Sequence, residues 1–162
     1  SEHHRIRHRQ RAARLRRRPR AATWVTRRGI QVDRIASAWL IRRFIDIEAG
    51  FRFVDPARHK PKKGESRFDM FEAEYGHGEG RCTFETLVQA FVPADGALGA
   101  IAEMIHDLDL KDRRFGRTET EGLGRLLAGV AALRRDDPAR LEAGGAALDA
   151  FYAGLGGTAK LK

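Results

Sequence analysis

His77 lies in the stretch "YGHGEGRCTFE" with a glycine on either side, so the backbone there can bend closely around a bound group. Downstream, "IHDLDL" sets His106 and Asp109 three residues apart, a spacing that projects both from one side of a helix. Imidazole and carboxylate together form the donor set of open iron, manganese or zinc sites. Glu74, Cys82 and Glu85 are near enough to His77 in the chain to complete such a shell. The expected ligands are therefore His77, His106, Asp109 and Glu85, around an ion whose identity is left open among those three metals. The spacing fits no established metal motif. The alternative makes His106 an ordinary helix residue beside its own C-terminus.

A second group of residues suits anions. Thr26, Arg27 and Arg28 fall between a strand and a helix, where free N–H groups and partial positive charge favour an oxyanion. The arginine fork matches tetrahedral oxyanions better than lysine does. Arg34, Ala38 and Arg42 share a helical face, and Arg43 follows. The candidate anion site is thus Thr26, Arg27, Arg34, Arg42 and Arg43. Two considerations oppose it: Asp33 as an N-cap would occupy the helix N–H groups, and Arg42 and Arg43 can instead snorkel and pair with Asp46 or Glu48. Cys82 is a candidate redox group, although a lone cysteine is more often a small buried apolar residue.

These residues need elements to hold them. Trp24-Val25-Thr26 is a β-forming run broken by Gly29, and Asp33 stands at the head of the helical "RIASAWLIRRFIDIEA". Ile35, Trp39, Leu40, Phe44 and Ile47 make its apolar stripe. "FRFVD" alternates as a second strand and "RFDMFEAEY" as a third, with the polar loop "PARHKPKKGES" between them. Thereafter the pattern is helical. Thr83, Asp95, the box Thr118–Glu121 and Asp137-Pro138 are expected to start four helices. The expected class is α+β, predominantly helical, with a small sheet in the N-terminal half followed by a helical bundle.

Charge is unevenly divided. The chain has 162 residues and a net charge of +9, but residues 1–20 carry nine arginines against Glu2 and account for +8 of it. The expected organisation is a basic, disordered arm over 1–22 and a folded domain over 23–155. Arg14, Arg16, Arg17 and Arg18 would give the arm salt-sensitive, sequence-independent affinity for nucleic acid. A single cysteine excludes an internal disulfide and favours a reducing compartment. The apolar runs are too short for a bilayer span, and no apolar core follows the basic N-terminus as in a signal peptide. A cytoplasmic chain without membrane contact is expected, of unassigned oligomeric state.

Taken together, "WVTRRGIQVDRIASAWLIRRFID", "FDMFEAEYGHGEGRCTFETL" and "IAEMIHDLDLKD" resemble the chromate-resistance domain, the C-terminal part of chromate-sensing regulators. The likeness runs from about Trp24 to Tyr152. Its family-like positions are Thr26, Arg27, Asp33, Arg34, Trp39, Arg42 and Arg43, then Phe68, Asp69, His77, Cys82, Thr83 and Glu85, then His106, Asp107 and Asp109. The resemblance implies a regulatory part in a bacterial stress response, sensing or binding chromate or chromium in the cytoplasm beside a chromate exporter. It transfers no catalytic assignment. Two alternatives stand beside it: a metal-dependent enzyme acting on chromate or on its oxidative by-products, and a nucleic-acid-associated protein led by the arginine arm.

Overall fold

The computed structural model describes residues 15–161. Strand β1 (Thr23–Arg27) leads into helix α1 (Val32–Leu40), which continues as a wider π turn over Ile41–Ile45. β2 (Gly50–Val54) and β3 (Glu65–Arg67) follow, and then α2 (Thr83–Phe91), α3 (Gly96–Leu110), α4 (Thr120–Leu133) and α5 (Asp137–Gly154). The class is the one expected: α+β, mostly helical, with a small sheet in the N-terminal half.

The sheet is parallel throughout, in the order β2–β1–β3, with Thr23 opposite both Gly50 and Glu65. α1 is therefore the crossover between two parallel strands. β1 is central, and its middle residues Trp24, Val25 and Thr26 are buried. The strand order reverses between β1 and β3, and an open parallel sheet presents its ligand crevice at the carboxyl ends of such strands.

α1 also forms the axis of the helical layer, packing against all four later helices. Ile35 and Trp39 are fully or almost fully buried on it. Gly144 of α5 permits the close approach, because a Cβ there would stand 2.4 Å from Ile35 Cγ2. The Trp39 indole N–H donates to Asp149 at 2.8 Å, which also accepts two bonds from Arg43. At the other end of the sheet Asp46, 2% exposed, accepts from the Ala21 and Ala22 N–H groups and from the Trp24 indole.

Several boundaries differ from the sequence expectation. The third strand is Glu65–Arg67, whereas 67–75 was expected. Asp69 and Glu72 adopt left-handed backbone, which a strand cannot propagate, and only a bridge from Phe68 to Tyr75 remains. The π turn ends α1's helical run at Ile45, where the Asp46 N–H closes onto Ile41 O, and Ile47 leaves the apolar stripe for solvent, 80% exposed. Asp33 does not cap α1: Gln31 holds the cap position without a side-chain bond, and Asp33 stands inside the first turn. Cys82, not Thr83, caps α2; Asp136, not Asp137, caps α5; Asp95 caps α3 as expected. The box at Thr118 does not form, its hydroxyl turning to Glu119.

Candidate functional site

The residues at the carboxyl edge of β1 and β3 build one pocket of about 460 Å³, lined by Arg27, Arg34, Pro56, Asp69, Met70, Phe71, Gly76 and His77. β1 delivers Arg27 at its last position, and the first turn of α1 delivers Asp33 and Arg34. β3 delivers Asp69 two residues past its end. The glycine-flanked segment 76–78 brings in His77, and the last turn of α3 brings in Asp109.

Asp69 is the fixed point. It is 6% exposed, its left-handed backbone is held by its N–H donating to Tyr75 O, and its Oδ1 accepts from the Thr83 hydroxyl at 3.0 Å. Arg34 Nε donates to the Asp69 carbonyl at 3.1 Å and stands 3.3 Å from Oδ2. His77 lies between two carboxylates: Nε2 is 2.5 Å from Asp109 and Nδ1 is 3.4 Å from Asp69 Oδ1. Arg27 is exposed at the rim, and among the described residues it pairs with no carboxylate.

Behind these groups the carboxylates crowd one another. Burial, and then the neighbouring Asp69, push the Asp33 carboxyl up to about 6. Burial and the Asp33 charge also raise Asp109, against the pull of His77. The cluster thus holds a proton more readily than separate carboxylates would, which limits its negative charge below about pH 6.

The sequence-predicted anion set divides. Arg27 and Arg34 share the pocket. Thr26 is fully buried and its hydroxyl donates to Phe68 O at 2.6 Å, so it faces the sheet rather than a ligand. Arg42 and Arg43 are carried by the π turn to α5, where they meet Glu142 at 3.4 Å and Asp149 at 2.7 Å in place of Asp46 or Glu48. The N–H groups after β1 are also taken: Gly29 and Ile30 donate to the Asp137 carboxylate at 2.9 and 2.7 Å.

The predicted metal set divides too. His77 pairs with Asp109, while His106 Nδ1 pairs with Glu85 at 2.5 Å and its Nε2 with Asp112 at 2.9 Å. Among the described residues, the group that brings three donor atoms within 4.8 Å of one another is His106, Asp107 and Asp112. Glu74 is held by Arg67. Cys82 is buried, and burial pushes its thiol up to about 12, leaving it a poor nucleophile and reductant. Of the basic arm, Arg14 lies outside the described residues. Arg16 donates its N–H to Ala90 O and stacks on Tyr75, Arg18 reaches Phe91 O at 3.4 Å, and Arg17 is exposed. No helix of the described residues is long and apolar enough to cross a membrane.

Sequence reasoning named Asp33 and Asp69 without placing them in a site, named Asp137 only as a helix start, and missed Asp112. The first pair follows from parallel strand order, which brings the ends of β1 and β3 together. Asp137 reaches Gly29 and Ile30 from across the fold, and Asp112 meets His106 because the chain turns back at the end of α3.

The pocket lies at the carboxyl edge of a small parallel sheet backed by helices, the place where open parallel sheets present a ligand crevice. A model of the ChrB C-terminal domain matches residues 24–155, and the chain belongs to that family, which places it among proteins related to chromate resistance. Protein ChrB of Cupriavidus metallidurans is 37% identical over 130 residues, covering 80% of this chain. The chain spans 39% of the length of that relative. No solved structure matches the chain.

Proposed function

We propose that this domain binds chromate without turning it over, as the ligand-responsive part of a chromate-resistance protein, in the pocket between Arg27, Arg34 and His77. The observation that carries this reading is the convergence of those three side chains, from two separate blocks of the chain, on one crevice. Chromate is a tetrahedral dianion, and two guanidinium forks supply donors in the geometry it accepts, with the His77 ring as a wall of the pocket. Asp69 and Asp109 orient His77, and Asp69 also orients Arg34, so their charges are largely spent inside the protein. Arg27 is left as the cation that meets the incoming anion. Reduction of chromate is not part of the proposal, because the Cys82 thiol is buried and held far from its thiolate form.

Equilibrium dialysis of the full chain against chromate tests it. One saturable site is expected, weakened about 10- to 100-fold in Arg27→Ala, the loss of one charge-assisted contact. Arg42→Ala, which removes a guanidinium committed to α5, should bind as the parent does. Equal losses in both variants, or no saturable binding, would overturn the assignment.

A further inference from the structure

We propose a second ligand site, for a divalent transition-metal ion, at the C-terminal end of α3, formed by His106 Nε2, a carboxylate oxygen of Asp107 and one of Asp112. It is separate from the oxyanion pocket and shares no side chain with it.

The imidazole is the anchor. His106 is fully buried, with the edge of the Phe115 ring 83° to its plane and 5.1 Å between centroids. Its Nδ1 lies 2.5 Å from Glu85 Oε1, and that same oxygen accepts the Cys82 N–H at 3.0 Å in the capping box of α2. A carboxylate fixed in this way accepts the Nδ1 proton and sets the tautomer, the arrangement that orients histidine ligands in metal sites. Nε2 then presents its lone pair. What it meets is another acceptor, Asp112 Oδ2 at 2.9 Å. Two acceptors facing each other at that distance require a positive centre between or beside them, either a second proton on the ring or a metal ion.

The third donor favours the metal. A proton needs only the pair, whereas here Asp107 places an oxygen so that all three donor atoms lie within 4.8 Å of one another. Ligands at about 2.0–2.2 Å from one ion lie at most roughly 4.4 Å apart, so a few tenths of an ångström of adjustment closes the shell. Asp107 is itself fixed by the Phe115 and Gly116 N–H groups, and the left-handed Lys111 turns Asp112 back over the helix end. Asp112 is 44% exposed, which leaves an approach for the ion and room for water as a further ligand. Two carboxylates and a neutral imidazole balance a divalent charge. The nitrogen and oxygen donors fit Zn²⁺, Co²⁺ or Mn²⁺ rather than a soft thiophilic ion. Glu85, expected from sequence as a ligand, becomes the residue that orients one.

The test is calorimetric titration of the chelator-treated full chain with Co²⁺, followed also by the visible absorption of the bound ion. One equivalent is expected, with a rise in Tm on binding. Asp112→Asn, a change at an exposed position, should weaken affinity at least tenfold and alter the cobalt spectrum, while His77→Ala should leave both unchanged. Absence of stoichiometric binding would show that the proton alone occupies the gap. Unchanged affinity in Asp112→Asn, or loss in His77→Ala instead, would likewise overturn the assignment. A chain that binds Co²⁺ here and fails to bind chromate loses only the oxyanion reading, and the reverse result loses only this one.

Discussion

Replacing Asp33 by asparagine should stabilise this domain at neutral pH and leave it unchanged in acid. The folded protein raises this carboxyl from 3.8 to about 6, chiefly by burial and then through Asp69. Each pKa unit corresponds to about 1.4 kcal/mol, so ionised Asp33 costs the fold about 3 kcal/mol at most. The sign follows from proton binding. Below about pH 4 both states hold the proton and the cost is absent. Between about 4 and 6 the unfolded chain ionises first, so stability falls as pH rises, and above 6 the cost is complete. Asparagine removes it but gives up a carboxylate near a helix N-terminus, worth about 0.3–1 kcal/mol. A net gain of at most about 2–2.7 kcal/mol at pH 7.5 remains, which raises Tm by at most roughly 4–11 °C in a domain of this size. Urea denaturation of parent and variant at pH 4 and pH 7.5 measures it. A gain of equal size at both pH values, or a loss at pH 7.5, would refute the account of crowded carboxylates behind the pocket.

Two further outcomes follow from single contacts. Asp137→Ala leaves the Ile30 N–H without its acceptor and the exposed Gly29 N–H to water. It should cost about 2 kcal/mol in urea unfolding and weaken chromate binding by loosening the turn that carries Arg27. Cys82, buried with its thiol pushed up to about 12, should react with a thiol reagent at pH 8 at least 100-fold more slowly in the native chain than in urea.

Much of the fold is legible in the sequence because it rests on local chemistry. The β-forming run at Trp24–Thr26, the apolar period from Ile35 to Phe44 and the Asp95 cap all act within a few residues of themselves. What the sequence leaves open is decided by partners distant along the chain. Asp33 looks like a cap until Gln31 proves to precede the helix. Arg42 and Arg43 look like anion ligands until the π turn delivers them to Glu142 and Asp149. His106 and Asp109 do project from neighbouring turns of α3, but one meets Glu85 and Asp112 while the other meets His77. A shared helix face therefore identified polar residues that matter without showing that they serve two different centres.

The central claim is the position of the anion, and chromium supplies its own label. Crystals of the full chain soaked in chromate, with diffraction recorded at the chromium absorption edge, should show one anomalous peak within hydrogen-bonding reach of Arg27, Arg34 and His77. A peak beside Arg42 and Arg43, or at the His106 centre alone, would contradict the account.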